Sequence, residues 1–253
     1  MDGGIEQRGR TKRSRPVRVA DEIKQWVVER DLKPGDKLPN EAEMIALFSV
    51  SKGTVREATR ILEAQGLILT RTGPGGGSFV DKVSAERARS LLGNYFYFQN
   101  LSLSDIYQMR KTLEPELVAD IAGRLSDDQI DDLAHLVGQH DTPAQSAEEE
   151  IQEHVSSLAF HAKLAEFADN RLLGFIIAFM AEMLTEMTVY RKLYDPPNHE
   201  LWRRGRQHQL DLVAALRAGD GVSARAIMAS HMAIAEELMQ AQEAELARRF
   251  IPD

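Results

Sequence analysis

Apolar residues recur every three or four positions through most of this chain, the spacing of helices that bury one face. Val19, Ala20, Ile23, Trp26 and Val27 predict a first helix over 17–31, which Lys33-Pro34-Gly35-Asp36 breaks. Met44, Ile45 and Phe48 form the apolar face of a second helix. Asn40 is placed to cap it and Glu43, three residues on, to complete a capping box. After the elbow Phe48-Ser49-Val50-Ser51, Ser51 can cap a third helix whose Val55, Ala58 and Leu62 share one side. Then the rhythm changes: Leu67-Ile68-Leu69 and Ser78-Phe79-Val80 read as two short strands around a glycine-rich turn over 71–77.

Helix, elbow, helix and glycine-rich hairpin is the order of a winged helix-turn-helix, which places one helix in a DNA major groove. On the third helix Lys52, Arg56 and Arg60 form an i, i+4, i+8 row beside the buried seam, and Gly53 lies on the same exposed side. Such a row can address base edges and phosphates. Four glycines and a proline in 73–77 suggest a wing tip that lies against a phosphate or in a minor groove. Arg8, Arg10, Lys12, Arg13, Arg15 and Arg18, with no acid among them, read either as a solvated tail or as an arm along the DNA backbone.

Beyond 83 the helical period continues through seven segments, 85–99, 104–125, 126–139, 146–169, 171–194, 199–218 and 221–250. No strand-like alternation competes, so an antiparallel helical bundle follows. The Met-rich stretch over 179–187 reads as core or dimer packing.

Charge separates the two parts. The 253 residues carry a net charge of −8, yet 1–80 hold 14 Lys/Arg against 11 Asp/Glu and 81–253 hold 17 against 28. The first part can face phosphates and the second is repelled by them. The chain has no cysteine, which excludes a disulfide scaffold, a cysteine nucleophile and a cysteine-ligated zinc site, and suggests the reducing cytoplasm. The start has no apolar signal core, and no apolar run is expected to span a membrane.

The first part resembles the GntR family of bacterial transcription regulators. The resemblance is carried by Leu38-Pro39-Asn40-Glu41, Phe48-Ser49-Val50-Ser51, Thr54-Val55-Arg56-Glu57-Ala58, Leu62, Gly66-Leu67 and Gly77-Ser78-Phe79-Val80. It implies DNA contacts from Ser51, Lys52, Gly53, Thr54, Arg56 and the wing glycines Gly75, Gly76 and Gly77, with Arg60 added from the cationic row. Ala42 stands where family members often carry a DNA-contacting arginine, and Lys52-Gly53 replaces a common arginine-threonine pair. Lysine lacks arginine's planar fork, so the operator need not be the family's usual one.

The second part resembles the FCD ligand-binding domain of the FadR subfamily, through 109–115, Phe160-His161, 215–220 and Met228-Ala229-Ser230-His231. That resemblance implies a cavity for a small carboxylic acid, and commonly a divalent metal (zinc, nickel or manganese) held by an Asp-x-x-x-His pair and two later histidines. His161 and His231 match two ligand positions, but Ser157 stands at the aspartate position and Gln209 at the third histidine, with His208 one residue out of register. A metal would therefore rest on His161 and His231, with Glu153 and His154, about one turn beyond Ser157, as further candidate donors. The alternative is that His161 and His231 are buried and hydrogen-bonded to Ser157, Gln209 or a ligand. Arg110 is the anchor for an effector carboxylate, or else pairs with Glu114 on a wet helix face.

These readings predict a mainly α chain: a basic arm (1–16), a winged helix-turn-helix with a small β wing (17–81), a linker or first helix (82–100), and an all-α effector and dimerisation domain (101–250). The expected effector residues are Arg110, Ser157, His161, Gln209 and His231. The expected function is a homodimeric regulator, most naturally a repressor, reading an inverted repeat in double-stranded DNA and answering to a small acid. The alternatives are a DNA-binding dimer whose sensor is lost and a metal-dependent hydrolase. No nucleophile–base arrangement supports an enzyme.

Overall fold

The computed structural model describes residues 13–249, which form two compact units divided between Ala88 and Arg89. Of the basic arm, Arg8, Arg10 and Lys12 lie outside the described residues. Arg13 pairs with Asp21 at 2.7 Å, and Arg15 already belongs to a helix.

The first unit opens with α1 (Arg15–Glu29), α2 (Glu41–Phe48) and α3 (Lys52–Ala64), followed by β1 (Ile68–Arg71) and β2 (Gly77–Val80). Helix α1 starts two residues before the sequence suggested because Pro16 fits its first turn, where a missing N–H costs nothing. The capping box of α2 forms: Glu43 N–H donates to Asn40 Oδ1 at 3.0 Å, and Asn40 N–H to Glu43 Oε2 at 2.7 Å. Ser49 turns the chain in the left-handed region, and Ser51 Oγ accepts from Thr54 N–H at 3.3 Å to start α3. Val19, Ala20 and Ile23 of α1, Met44 of α2, and Val55, Ala58 and Leu62 of α3 make one apolar core, which Ile68 and Val80 close from the hairpin. The strands pair antiparallel from Ile68 opposite Val80 to Arg71 opposite Gly77.

The wing glycines have a reason inside the hairpin itself. Gly75 and Gly77 adopt φ of +79° and +141°, and a Cβ on Gly76 would lie 2.5 Å from the Arg71 carbonyl oxygen. Contact with DNA is therefore not needed to explain them.

From α4 (Ala85–Tyr97) the chain is helical: α5 (Leu103–Ile121), α6 (Asp127–Gly138), α7 (Ala147–Glu166), α8 (Arg171–Tyr190), α9 (His199–Arg217) and α10 (Gly221–Arg249). Helix α5 packs along α10 and α8, α7 along α8, and α9 against α10 and α6. Glycines allow two of these approaches: a Cβ on Gly174 of α8 would meet the Ala165 carbonyl oxygen of α7 at 2.5 Å, and one on Gly221 of α10 the Ala119 carbonyl oxygen of α5 at 2.8 Å. Met180, Met183 and Met187 lie in the core. Helix α8 corrects the expectation about apolar length: an 18-residue stretch of its 20 residues reaches a mean hydropathy of 1.7, long and apolar enough to cross a membrane. Its buried residues, including Ile177, Phe179 and Leu184, belong to the bundle core.

Candidate functional site

On the first unit, the seam of α3 leaves its cations outside. Lys52, Gly53, Arg56 and Arg60 are all exposed. Arg56 Nε donates to Glu41 Oε2 at 2.6 Å and Lys52 Nζ lies 3.1 Å from Oε1 of the same carboxylate, while Arg60 is 3.6 Å from Glu57. Arg56 first and Lys52 second hold the Glu41 carboxyl below its usual range. Glu41, at the start of α2, thus fixes the aim of two cations on α3. The Thr54 hydroxyl shares its hydrogen bond with Ser51 at 2.9 Å, so both side chains serve the helix start.

A groove lined by Glu41, Arg56, Arg60, Thr70 and Ser78 connects α3 to the wing. Two further cations, which the sequence did not single out, stand at Phe79 of the wing. Arg71 lies over the Phe79 ring at 5.0 Å from its centroid, and Lys37 at 5.8 Å. Lys37 could have been found through its position at the end of the α1–α2 loop, which bridges to Phe79 as a third short edge of the wing.

In the second unit, Arg110, Ser157, His161, Gln209 and His231 all line one cavity of about 80 Å³ between α5, α7, α9 and α10. That is room for several waters or a small ligand. Arg110 is 1% exposed, in an ion pair with Glu114 one turn along α5, so the pair is buried rather than on a wet face. Glu114 extends the pair: its Oε2 lies 2.5 Å from His161 Nδ1. Burial opposes ionisation of Glu114, but the Arg110 guanidinium and His161 outweigh it and hold the carboxyl far below its ordinary range. An ionised Glu114 can only accept, so His161 carries its proton on Nδ1. Its Nε2 then offers a lone pair to His231 Nε2, 3.2 Å away, which must donate. Burial first keeps both imidazoles neutral; for His231, His161 and Arg110 add to the effect.

These partners differ from those expected for the histidines. Ser157 and Gln209 bond each other instead, Gln209 Nε2 donating to Ser157 Oγ at 3.1 Å. His208 does not line the cavity; it turns to Ser230 and Arg204 and stacks on the outer side of His231. A resident zinc, nickel or manganese ion needs three or four donors with free lone pairs. Here one of the two facing Nε2 atoms carries a proton, and among the described residues no group of three His, Cys, Asp or Glu is placed to hold an ion. The residues present do not fit such a metal.

The other end of the cavity is lined by Glu150, Glu153 and His154 of α7 and by Arg206 of α9. Glu150 Oε1 accepts from the Asn198 N–H at 2.8 Å and lies 3.3 Å from His154 Nε2. Burial works against its charge, but the hydrogen bonds from His154 and Asn198 prevail and hold it below the usual range. For Glu153, burial and then Glu150 push the carboxyl up to about 7. Four buried polar atoms on this lining have no hydrogen-bond partner among the described residues besides Arg110 Nη2: Glu150 Oε2, Glu153 Oε2, Thr188 Oγ1 and Arg206 Nε. The signal that would have found Glu114 and Glu150 is positional. Both fall on the buried stripes of their helices, in step with Ile106, Leu117 and Val118 on α5 and with Phe160 and Leu164 on α7.

Three outcomes follow. Lys52→Ala and Arg56→Ala each weaken binding to operator DNA by about tenfold, and Glu41→Ala strengthens binding to random duplex while steepening its salt dependence, all read by fluorescence anisotropy across a salt series. Glu114→Ala destabilises the helical unit by about 3–5 kcal/mol in urea unfolding because it leaves Arg110 charged and alone, whereas the double variant Arg110→Met/Glu114→Leu loses much less. Glu153 binds its proton more tightly folded than unfolded, so the stability it contributes is full below about 4.5 and lost as pH rises through about 7. Glu153→Gln therefore raises the melting temperature at pH 8, and the gain shrinks towards pH 5.

Residues 16–80 match the family described as bacterial regulatory proteins, gntR family, and residues 105–234, half of the chain, match the FCD domain. The chain is 27% identical over 237 residues to the HTH-type transcriptional repressor NanR of Escherichia coli (strain K12), covering 88% of this chain and 86% of that protein, and equally to NanR of Shigella flexneri. In fold it is similar to the solved structure of Streptococcus agalactiae GntR, with a TM-score of 0.58 at 22% identity over 88% of this chain and 99% of that one. The cationic helix of a winged helix-turn-helix, the helical cavity behind it in sequence and these matches agree: the chain belongs to the gntR family of bacterial regulatory proteins and is a DNA-binding transcription regulator with an FCD domain.

Proposed function

We propose that this chain is a cytoplasmic, homodimeric repressor of the FadR subfamily, which leaves its operator when a small organic acid enters the FCD cavity. The observation that carries the reading is the buried Arg110. Its Nε is held by Glu114, while Nη2 has no partner among the described residues and belongs to a residue on the cavity wall. A carboxylate oxygen supplies what that N–H lacks, and a charge-assisted hydrogen bond to a buried guanidinium is among the stronger available. The NanR relatives, named as transcriptional repressors, favour repression over activation.

Two recognition helices about 34 Å apart on a dimer would read the halves of an inverted repeat. The acid must bind the operator-free arrangement more tightly, and operator must then weaken acid binding by the same factor. We further propose that the cavity works without a resident metal, because its two imidazoles and one hydroxyl–amide pair leave too few donors for a divalent cation.

The test is an operator titration of the full chain with and without a panel of small carboxylates, alongside metal analysis of the purified protein and its size in solution. At least one acid should weaken operator binding about fivefold or more, the size of ordinary allosteric coupling. Unchanged affinity across the panel would leave a DNA-binding dimer whose FCD domain no longer senses acids, and stoichiometric metal would overturn the metal-free cavity.

A further inference from the structure

The acceptor-rich end of the FCD cavity has no role in anchoring a carboxylate. Glu150 is 1% exposed and Glu153 7%, and each lines the cavity with an Oε2 that has no partner among the described residues. A buried acceptor without a donor is costly, and two of them within one helical turn also repel each other. An apolar tail would leave both unpaired. A group carrying N–H or O–H would satisfy them.

We propose that Glu150 and Glu153 form a second subsite, which takes the donor-bearing end, ammonium or hydroxyl, of an elongated acid whose carboxylate meets Arg110. The inference rests on the carboxylate reading given above. Separation of the two ends sets the length of the ligand. Glu153 and His161 stand eight residues apart on α7, a rise of about 12 Å, and His161 is tied through Glu114 to Arg110. A two-carbon amino acid is too short to serve both ends, whereas a chain of about six carbons can approach both. Ser157, midway on the same wall and bonded to Gln209, offers polar company along the path.

The rival occupant is a dicarboxylate, because Arg206 on α9 presents an unpartnered Nε to the same cavity. Against it stand two carboxylates, one of them held ionised by His154 and Asn198. A second anionic end would have to sit beside that charge.

Calorimetric titration of the full-length chain with hexanoate, 6-aminohexanoate, gluconate and adipate separates these cases. The expected result is that 6-aminohexanoate or gluconate binds about tenfold or more tighter than hexanoate, since a site built for donors rejects the analogue that lacks them. Glu153→Leu should erase that lead while leaving hexanoate as tight or tighter. Glu153→Gln, which keeps one acceptor and no charge, identifies the source: a lead that disappears marks ammonium, and one that partly survives marks hydroxyl.

If hexanoate or adipate binds as tightly as the donor-bearing acids, or if the lead survives Glu153→Leu, the second subsite is overturned. Hexanoate binding that is lost in Arg110→Met/Glu114→Leu, without any lead for the donor-bearing acids, sinks this inference alone. If none of the four acids binds, the carboxylate reading of the cavity falls and the subsite falls with it.

Discussion

Everything in the FCD domain is arranged around one expensive object, a fully buried arginine–glutamate pair. Removing two charges from water costs several kcal/mol for each ion, which attraction recovers only with good geometry and further hydrogen bonds. Glu114 supplies both by bonding Arg110 through one oxygen and His161 through the other. His161 then has no freedom of tautomer, and its second nitrogen decides that of His231. Helices α5, α7 and α10 are thereby fixed in register by a chain of polar contacts rather than by apolar packing alone. A wall so constrained is preorganised, which lowers what a ligand loses in ordering its site.

The DNA-binding unit uses the opposite economy. Its core is apolar, its helix starts are capped by Asn40 and Ser51, and its charged groups stay at the surface. Ion pairs there are weak and exchangeable. That suits a surface whose partners change between solvent, its own carboxylates and a polyanion, while the polar contacts of the FCD cavity are buried and fixed by one another.

The helices were legible because burial imposes a 3.6-residue period, and Val55, Ala58 and Leu62 or Phe160 and Leu164 display it without help from the rest of the chain. The capping box at Asn40 and Glu43 was equally local. Polar burial was legible only in part: Arg110, His161 and His231 read as cavity residues, and the burial of Glu114 did not. Arg110 and Glu114 four residues apart look like an exposed pair on any helix, and only their phase with Leu103, Ile106, Leu117 and Ile121 reveals that they face inward. Glu150 was hidden in the same way, at the start of a helix where acids are ordinary. The histidine partners could not be read at all, since α5 and α7 meet only in three dimensions. The wing glycines carry a second reason that the sequence did not separate from a ligand: the turn itself requires them at Gly75, Gly76 and Gly77.

Glu41 has a consequence for how such a regulator searches a genome. Its carboxylate occupies Arg56 and Lys52 in the free protein, and under the proposed docking of α3 it is a built-in competitor that every duplex must displace alike. Selectivity is a difference between affinities, so a uniform penalty leaves the ranking of sites intact while shortening residence on all of them. A single carboxylate at the head of α2 thus trades strength of grip for speed of release.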